Sequence, residues 1–255
     1  IPLSFVCISL ILLYFFKKIL SDLGELKFHK LFNLLFLIIC IIFFIECFST
    51  YNLFTTTGGG AEYHWQAIIG PNQMLAQGGY LLWDTPTTYG YLSHLFIHYI
   101  PIENKWLSFY WLNSSINFMV CMLCLFTFCY KKNLIILLFA FLLTYDLMFI
   151  VGGGNSYSNI LGLNPSSFGF RFFWITILLF TLINLRNLPF IKQFPYICII
   201  YILGFLWSFE SAFFVSAALI PYFLHHTLFD SISFKIFLIF LIMPATLVII
   251  FILII

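Results

Sequence analysis

The sequence predicts an all-α fold, a polytopic transmembrane helical bundle forming a single domain over residues 1–255, and three observations predict it. Of its residues 63% are hydrophobic and only 8% charged, with a mean hydropathy of +1.07. That is more apolar surface than a soluble domain of this length can hide, so lipid is expected to be its main solvent. Apolar stretches recur at about the length of a membrane span, over about 1–16, 31–47, 106–130, 133–151, 172–185, 195–220 and 236–255, which predicts about seven spans. Finally, the basic residues sort to alternate connections between these stretches.

Taken in order, the first stretch is followed by Lys17 and Lys18 and lacks a small-residue cleavage site. It therefore reads as a membrane helix, not as a signal peptide. The connections 17–30, 131–132 and 186–194 hold eight Lys or Arg residues, whereas the opposite ones hold only Lys105, Arg171 and Lys235. The positive-inside rule then places the first set in the cytoplasm. The chain begins with Ile1 and ends inside the run Ile236 to Ile255, which leads us to expect a fragment with further helices on the C-terminal side. All seven cysteines lie in or beside apolar runs, and the Cys121-x-x-Cys124 pair falls in mid-helix without a nearby histidine. Buried inert thiols are expected, and no disulfide framework. The net charge of +2, with no basic cluster, excludes nucleic acid as an expected partner.

Residues 48–105 are then an external loop. Its Trp65, Tyr80, Trp83, Tyr89 and Tyr91 suit the membrane–water interface, and helices are expected over Glu62 to Gln77 and Tyr89 to Ile100, lying at that interface. The triple glycines at Gly58–Gly60 and Gly152–Gly154 lack the Lys-Ser/Thr sequel of a phosphate loop and read as flexible turns.

The polar residues gather towards the same side. At about 1.5 Å rise per residue, Glu210 lies roughly 22 Å up the stretch 195–220, and Asp146 is again in the outer half of its own. Asn113 and Asn117, four apart on one helix face, descend from the outer end of theirs. Arg171 opens a span, and His64, His94, His98, His225 and His226 are expected to be external. An ionised group in hydrocarbon costs roughly 2.5–3.5 kcal/mol, so such residues usually face a bundle interior or a wet cavity. One hydrated pocket open to the outside is expected. The competing expectations are hydrogen bonds between neighbouring helices for the asparagines, headgroup contact for Asp146, a snorkelling anchor for Arg171 and ordinary interface positions for the histidines.

Glu62-Tyr-His64-Trp opens the loop, and an acid beside a histidine there suits a reactive site: a carboxylate can take a proton from an attacking hydroxyl. Asp84 is a second carboxylate and a candidate ligand for a divalent cation, Mg or Mn. The pattern Glu62-x-His64, Gly70-Pro71, Gly78-Gly79, Asp84 and Tyr89-Gly90, with Arg171 opening a later span, resembles the polytopic GT-C glycosyltransferases over about residues 45–220. It departs from them in that Glu62 stands alone about fifteen residues beyond a span, where many members carry adjacent acids. The resemblance implies a polyprenyl-phosphate-linked sugar donor and an acceptor glycan, lipid or protein, in a multi-pass protein of the bacterial inner membrane with its site facing the periplasm. It further implies Glu62 as catalytic base, with His64 and Asp84 as catalytic candidates and Arg171 holding the donor phosphate. Asn113, Asn117, Glu210, His94 and Tyr89 are the remaining substrate-binding candidates. Two other classes compete: a polytopic transporter using Glu210 and Asp146 as a relay, although no internal repeat is visible, and a lipid-linked-glycan polymerase or ligase.

Overall fold

The computed structural model describes residues 25–48, 59–81, 84, 89–129, 133–151 and 168–229, with positions 242 and 246; the side chains of 25–29, 59–65, 151, 168 and 229 are excepted. The regular elements among these are helical: α1 (Glu25–Phe48), α2 (Gly59–Ala76), α3 (Tyr91–Tyr99), α4 (Lys105–Phe128), α5 (Leu134–Tyr145, continued by a π-helical turn Asp146–Val151), α6 (Phe168–Leu185), α7 (Phe190–Trp207) and α8 (Phe209–Phe229). Four are long and apolar enough to cross a membrane: Lys30–Phe48 of α1, all of α4, all of α7, and Phe209–Leu228 of α8. The apolar helices Leu134–Ile150 and Gly169–Leu185 are shorter. The expected span 1–16, and 236–255 apart from positions 242 and 246, like the two triple-glycine turns as wholes, lie outside the described residues.

Local chemistry sets the helix ends. Asn104 and Asn133 each turn their Oδ1 back onto two backbone N–H groups, of Trp106 and Leu107 and of Ile135 and Ile136, and so start α4 and α5. Lys105 Nζ donates to the carbonyls of His98 (2.8 Å) and Ile100 (3.1 Å), closing the C-terminal end of α3 with a cation.

The apolar run expected to be one span over 195–220 is two helices. Ser208 between them is in extended backbone (φ −165°, ψ 156°), and its Oγ accepts from the N–H of Ser211 at 3.0 Å. A serine able to cap a new helix outcompetes continuation of the old one. The chain then doubles back. Tyr201 meets Ser216, Gln193 meets Tyr222 (2.5 Å), and Phe190 stacks near His226, pairs almost equally spaced on either side of Ser208. Thus α7 and α8 form an antiparallel hairpin, and His225 and His226 stand beside the start of α7, at the opposite end from Glu210. Their expected place on the loop side is corrected accordingly.

Helices α1 and α4 are also antiparallel, with Phe36 against Phe126 and Phe44 against Phe118. Tyr145 at the end of α5 reaches Glu46 near the end of α1 (3.1 Å). One end of the bundle therefore carries Glu46, Tyr145, Arg171 and Glu210; the other carries Lys30, Arg186, Lys192, His225 and His226. Beyond Lys30 and Asn33, which are exposed at its start, the exposed face of α1 is apolar, with Leu34, Leu37, Ile38, Ile41, Phe44 and Ile45, as a lipid-facing surface must be.

The most extensive helix contact is between α4 and α6. Gly169 lies so close to Asn117 that a Cβ there would sit 1.9 Å from its Oδ1 and 2.8 Å from its Cα. Asn117 is twelve residues beyond Lys105, so α6 begins about 18 Å along α4. This stagger leaves a step beside the first turns of α4, and α3 packs into it against α2, α4 and α7.

Candidate functional site

The floor of that step is built from the start of α6 and the α7–α8 turn. Arg171 Nε lies 3.2 Å from Glu210 Oε2, with side chains 38% and 51% exposed. Such partly exposed pairs contribute only about 0–1 kcal/mol in water, so this one is an exchangeable contact and not a structural rivet. Glu210 also stands in the first turn of α8, where the helix dipole favours an anion. Ser211 Oγ reaches the carbonyl of Arg171 (3.4 Å), and Trp207 Nε1 donates to the carbonyl of Phe170 (3.3 Å). Phe170 in turn lies edge-on to Phe109 and Tyr89. Asn113 and Asn117 fall on the same stripe of α4 as Phe109, at four-residue spacing, and both are fully buried.

The wall of the step includes Tyr89 and Gly90, which lead into α3 and lie after α2 in the chain. That helix ends in a Schellman turn: Gly79 N–H donates to the Met74 carbonyl and Gly78 N–H to that of Leu75, with Gly78 at φ +84°. Asp84 Oδ2 accepts the N–H of Tyr80 at 2.6 Å, so this carboxylate holds its own turn. Further on, Gly90 (φ +86°) lies directly on the α7–α8 turn; a Cβ there would be 1.7 Å from the Trp207 carbonyl oxygen. Only glycine permits both the backbone conformation and the approach.

His94 lies fully buried on α3, its Nδ1 3.4 Å from Asn72 Nδ2. Asn72 Nδ2 also donates to the Ile68 carbonyl at 2.9 Å, which sets the amide and the imidazole against the same turn of α2. Burial lowers the His94 pKa to about 4, against a smaller raising effect from the Ile68 backbone. Between about pH 6.5 and 4 the unfolded chain takes up a proton that the folded chain refuses, so stability falls as pH falls through that window. The full effect is on the order of 3 kcal/mol. Melting curves of the wild type and His94→Gln should therefore converge as pH drops from 7 to 4; parallel curves would remove His94 as the cause.

The sequence-derived candidates thus separate. Tyr89, Arg171, Glu210 and, through Gly169, Asn117 converge on one place, with Asn113 a turn along α4. The expected open pocket is corrected in its lining: Asn113, Asn117, His94 and Tyr89 are buried in helix contacts, because neighbouring elements pack over them. Arg171 and Glu210 pair with each other. Glu62 and His64 fall in the first two turns of α2, and their side chains lie outside the described residues. The expected helices of the loop occur, as α2 and α3, but they are packed together: Ile68 and Asn72 of α2 and Ser93, His94 and Ile97 of α3 are buried. As a cation ligand Asp84 fits poorly. Its Oδ2 is already engaged, and among the described residues no three His, Cys, Asp or Glu side chains group as a metal would need. Sequence reasoning missed the Ser208–Ser211 cap, although a serine followed by an acid two residues on is a helix-start signal. It also missed Glu46 with Tyr145, partners 99 positions apart that no local pattern connects.

Comparison of the chain with protein-family models, with curated proteins and with solved structures gives no match.

Proposed function

We propose that this chain is an integral-membrane glycosyltransferase of the GT-C kind, moving a sugar from a polyprenyl-phosphate donor to an acceptor on the non-cytoplasmic face. One observation carries the proposal: Gly90 docks the segment bearing the family-like loop pattern on the turn that holds Glu210 beside Arg171. The Tyr89-Gly90 end of that pattern and the later span on which the resemblance rests thereby meet at one end of the bundle. Lys30, Arg186 and Lys192 lie at the end of the bundle opposite Arg171 and Glu210, in keeping with the positive-inside rule for a site on the far face.

In this mechanism the donor's apolar tail runs along the Phe-rich outer surface of α8, and Arg171 takes the phosphate in a charge-assisted contact. Glu62 removes the proton of the acceptor hydroxyl as its oxygen attacks the anomeric carbon, and the polyprenyl phosphate leaves with the bonding pair. Phosphate leaves readily, so no strong general acid is needed. The test is transfer of labelled sugar from a panel of polyprenyl-phosphate sugars by the protein in lipid nanodiscs. Arg171→Ala should weaken donor binding about tenfold or more. No transfer from any donor, to any of a glycan, lipid or peptide acceptor, sinks the proposal.

A further inference from the structure

We infer that Glu210 is a resident stand-in for a lipid monophosphate: it pairs with Arg171, and the head of a polyprenyl monophosphate exchanges for it. The inference deepens the proposed function at the same site and rests on that reading for the lipid's identity.

Three observations carry the exchange. The guanidinium is partnered by a carboxylate at 3.2 Å, a planar anion much like one edge of a phosphate monoester. Both side chains reach the protein surface, at 38% and 51% exposure, while the Nε that meets Glu210 is buried, so an incoming head approaches over the outer edge of the guanidinium and displaces the carboxylate from there. And Glu210 has somewhere to go. In the first turn of α8 its carboxylate keeps the favourable field of the helix N-terminus after Arg171 is taken from it, so release strands no charge. A phosphate monoester offers three oxygens and up to two charges against one carboxylate, which favours the exchange.

The lipid source, as against free phosphate, follows from what flanks the pair. Phe209 and Phe213 on α8 are 76% and 68% exposed, an apolar surface beginning next to Glu210 and running down the same helix. A head held at Arg171 would lay its isoprenoid chain there, and inorganic phosphate would gain nothing from it.

The experiment measures binding of a short-chain polyprenyl monophosphate carrying no sugar to the protein in neutral-lipid nanodiscs. Glu210→Gln keeps the shape and removes the competing charge, and should tighten binding about tenfold. Glu210→Asp, whose shorter side chain keeps the charge but loosens the pair, should fall between, and supplies a second reading should the glutamine variant fold poorly. Arg171→Gln should abolish binding in either background. Binding of the polyprenyl phosphate that is unchanged or weaker in both Glu210 variants overturns the inference. Inorganic phosphate binding as tightly as the lipid overturns the lipid assignment. Because no sugar is involved, tighter binding in Glu210→Gln beside absent glycosyl transfer would leave the exchange standing while the enzymatic reading fell; transfer without that tightening would do the reverse.

Discussion

Replacing Glu62 with glutamine is expected to lower sugar transfer by roughly 100- to 10,000-fold, the range seen when a positioned general base is removed. The substitution keeps the shape of the side chain and changes only its charge. Glu62 is the fourth residue of α2, near the helix N-terminus, so the lost charge should cost stability no more than about 1 kcal/mol. Folding and chemistry are therefore separable: the variant should insert and melt like the wild type while turnover collapses. Asp84→Asn makes the contrast. Asparagine retains an oxygen to accept the Tyr80 N–H, so the turn should hold, and transfer should stay close to wild type. Activity surviving in Glu62→Gln but lost in Asp84→Asn would exchange the two assignments, and full activity in both would leave the reaction without a carboxylate base from this loop.

Much of the fold is legible because lipid simplifies the pattern: long apolar runs read as helices, and the apolar part of α1 (Lys30–Phe48) and α4 begin and end within about two residues of where hydropathy puts them. The same simplicity hid the α7–α8 turn. With apolar residues on both sides of Ser208, hydropathy runs on unbroken, and only the capping oxygen marks the break. That one residue reverses the chain direction over α8, which is why His225 and His226 stand at the opposite end from the one hydropathy predicts. At the candidate site, residue types were readable but partners were not. Arg171 and Glu210 are 39 positions apart, and no spacing rule says that an arginine opening one helix will meet an acid opening another. Nor does spacing show that Asn117 is covered, since that depends on the α4–α6 stagger set by Gly169.

The second large effect is expected from Gly90→Ala. At φ +86° and ψ 177° Gly90 lies in a region essentially reserved for glycine, where an alanine costs about 1–3 kcal/mol for the backbone alone. Its Cβ would in addition fall 1.7 Å from the Trp207 carbonyl oxygen and 2.8 Å from Ser208 Cα, both backbone atoms that no rotamer change can move aside. Overpacking of this kind costs about 1–3 kcal/mol more. Together these predict a loss of roughly 3 kcal/mol, or a fall of roughly 6–12 °C in melting temperature in detergent. Gly78→Ala carries a left-handed backbone cost of about 1–2 kcal/mol without the clash: its φ is +84°, yet nothing lies within 4 Å of the added carbon, so a smaller fall of about 2–8 °C is expected. Equal shifts in the two variants would mean that the loop does not rest on the α7–α8 turn. Unequal shifts carry a functional consequence. Gly90 touches the residues immediately before Glu210, so lifting the loop alters the geometry around the Arg171–Glu210 pair. Membranes of Gly90→Ala held well below its melting point should then bind polyprenyl phosphate with altered affinity, whereas those of Gly78→Ala should bind it like the wild type.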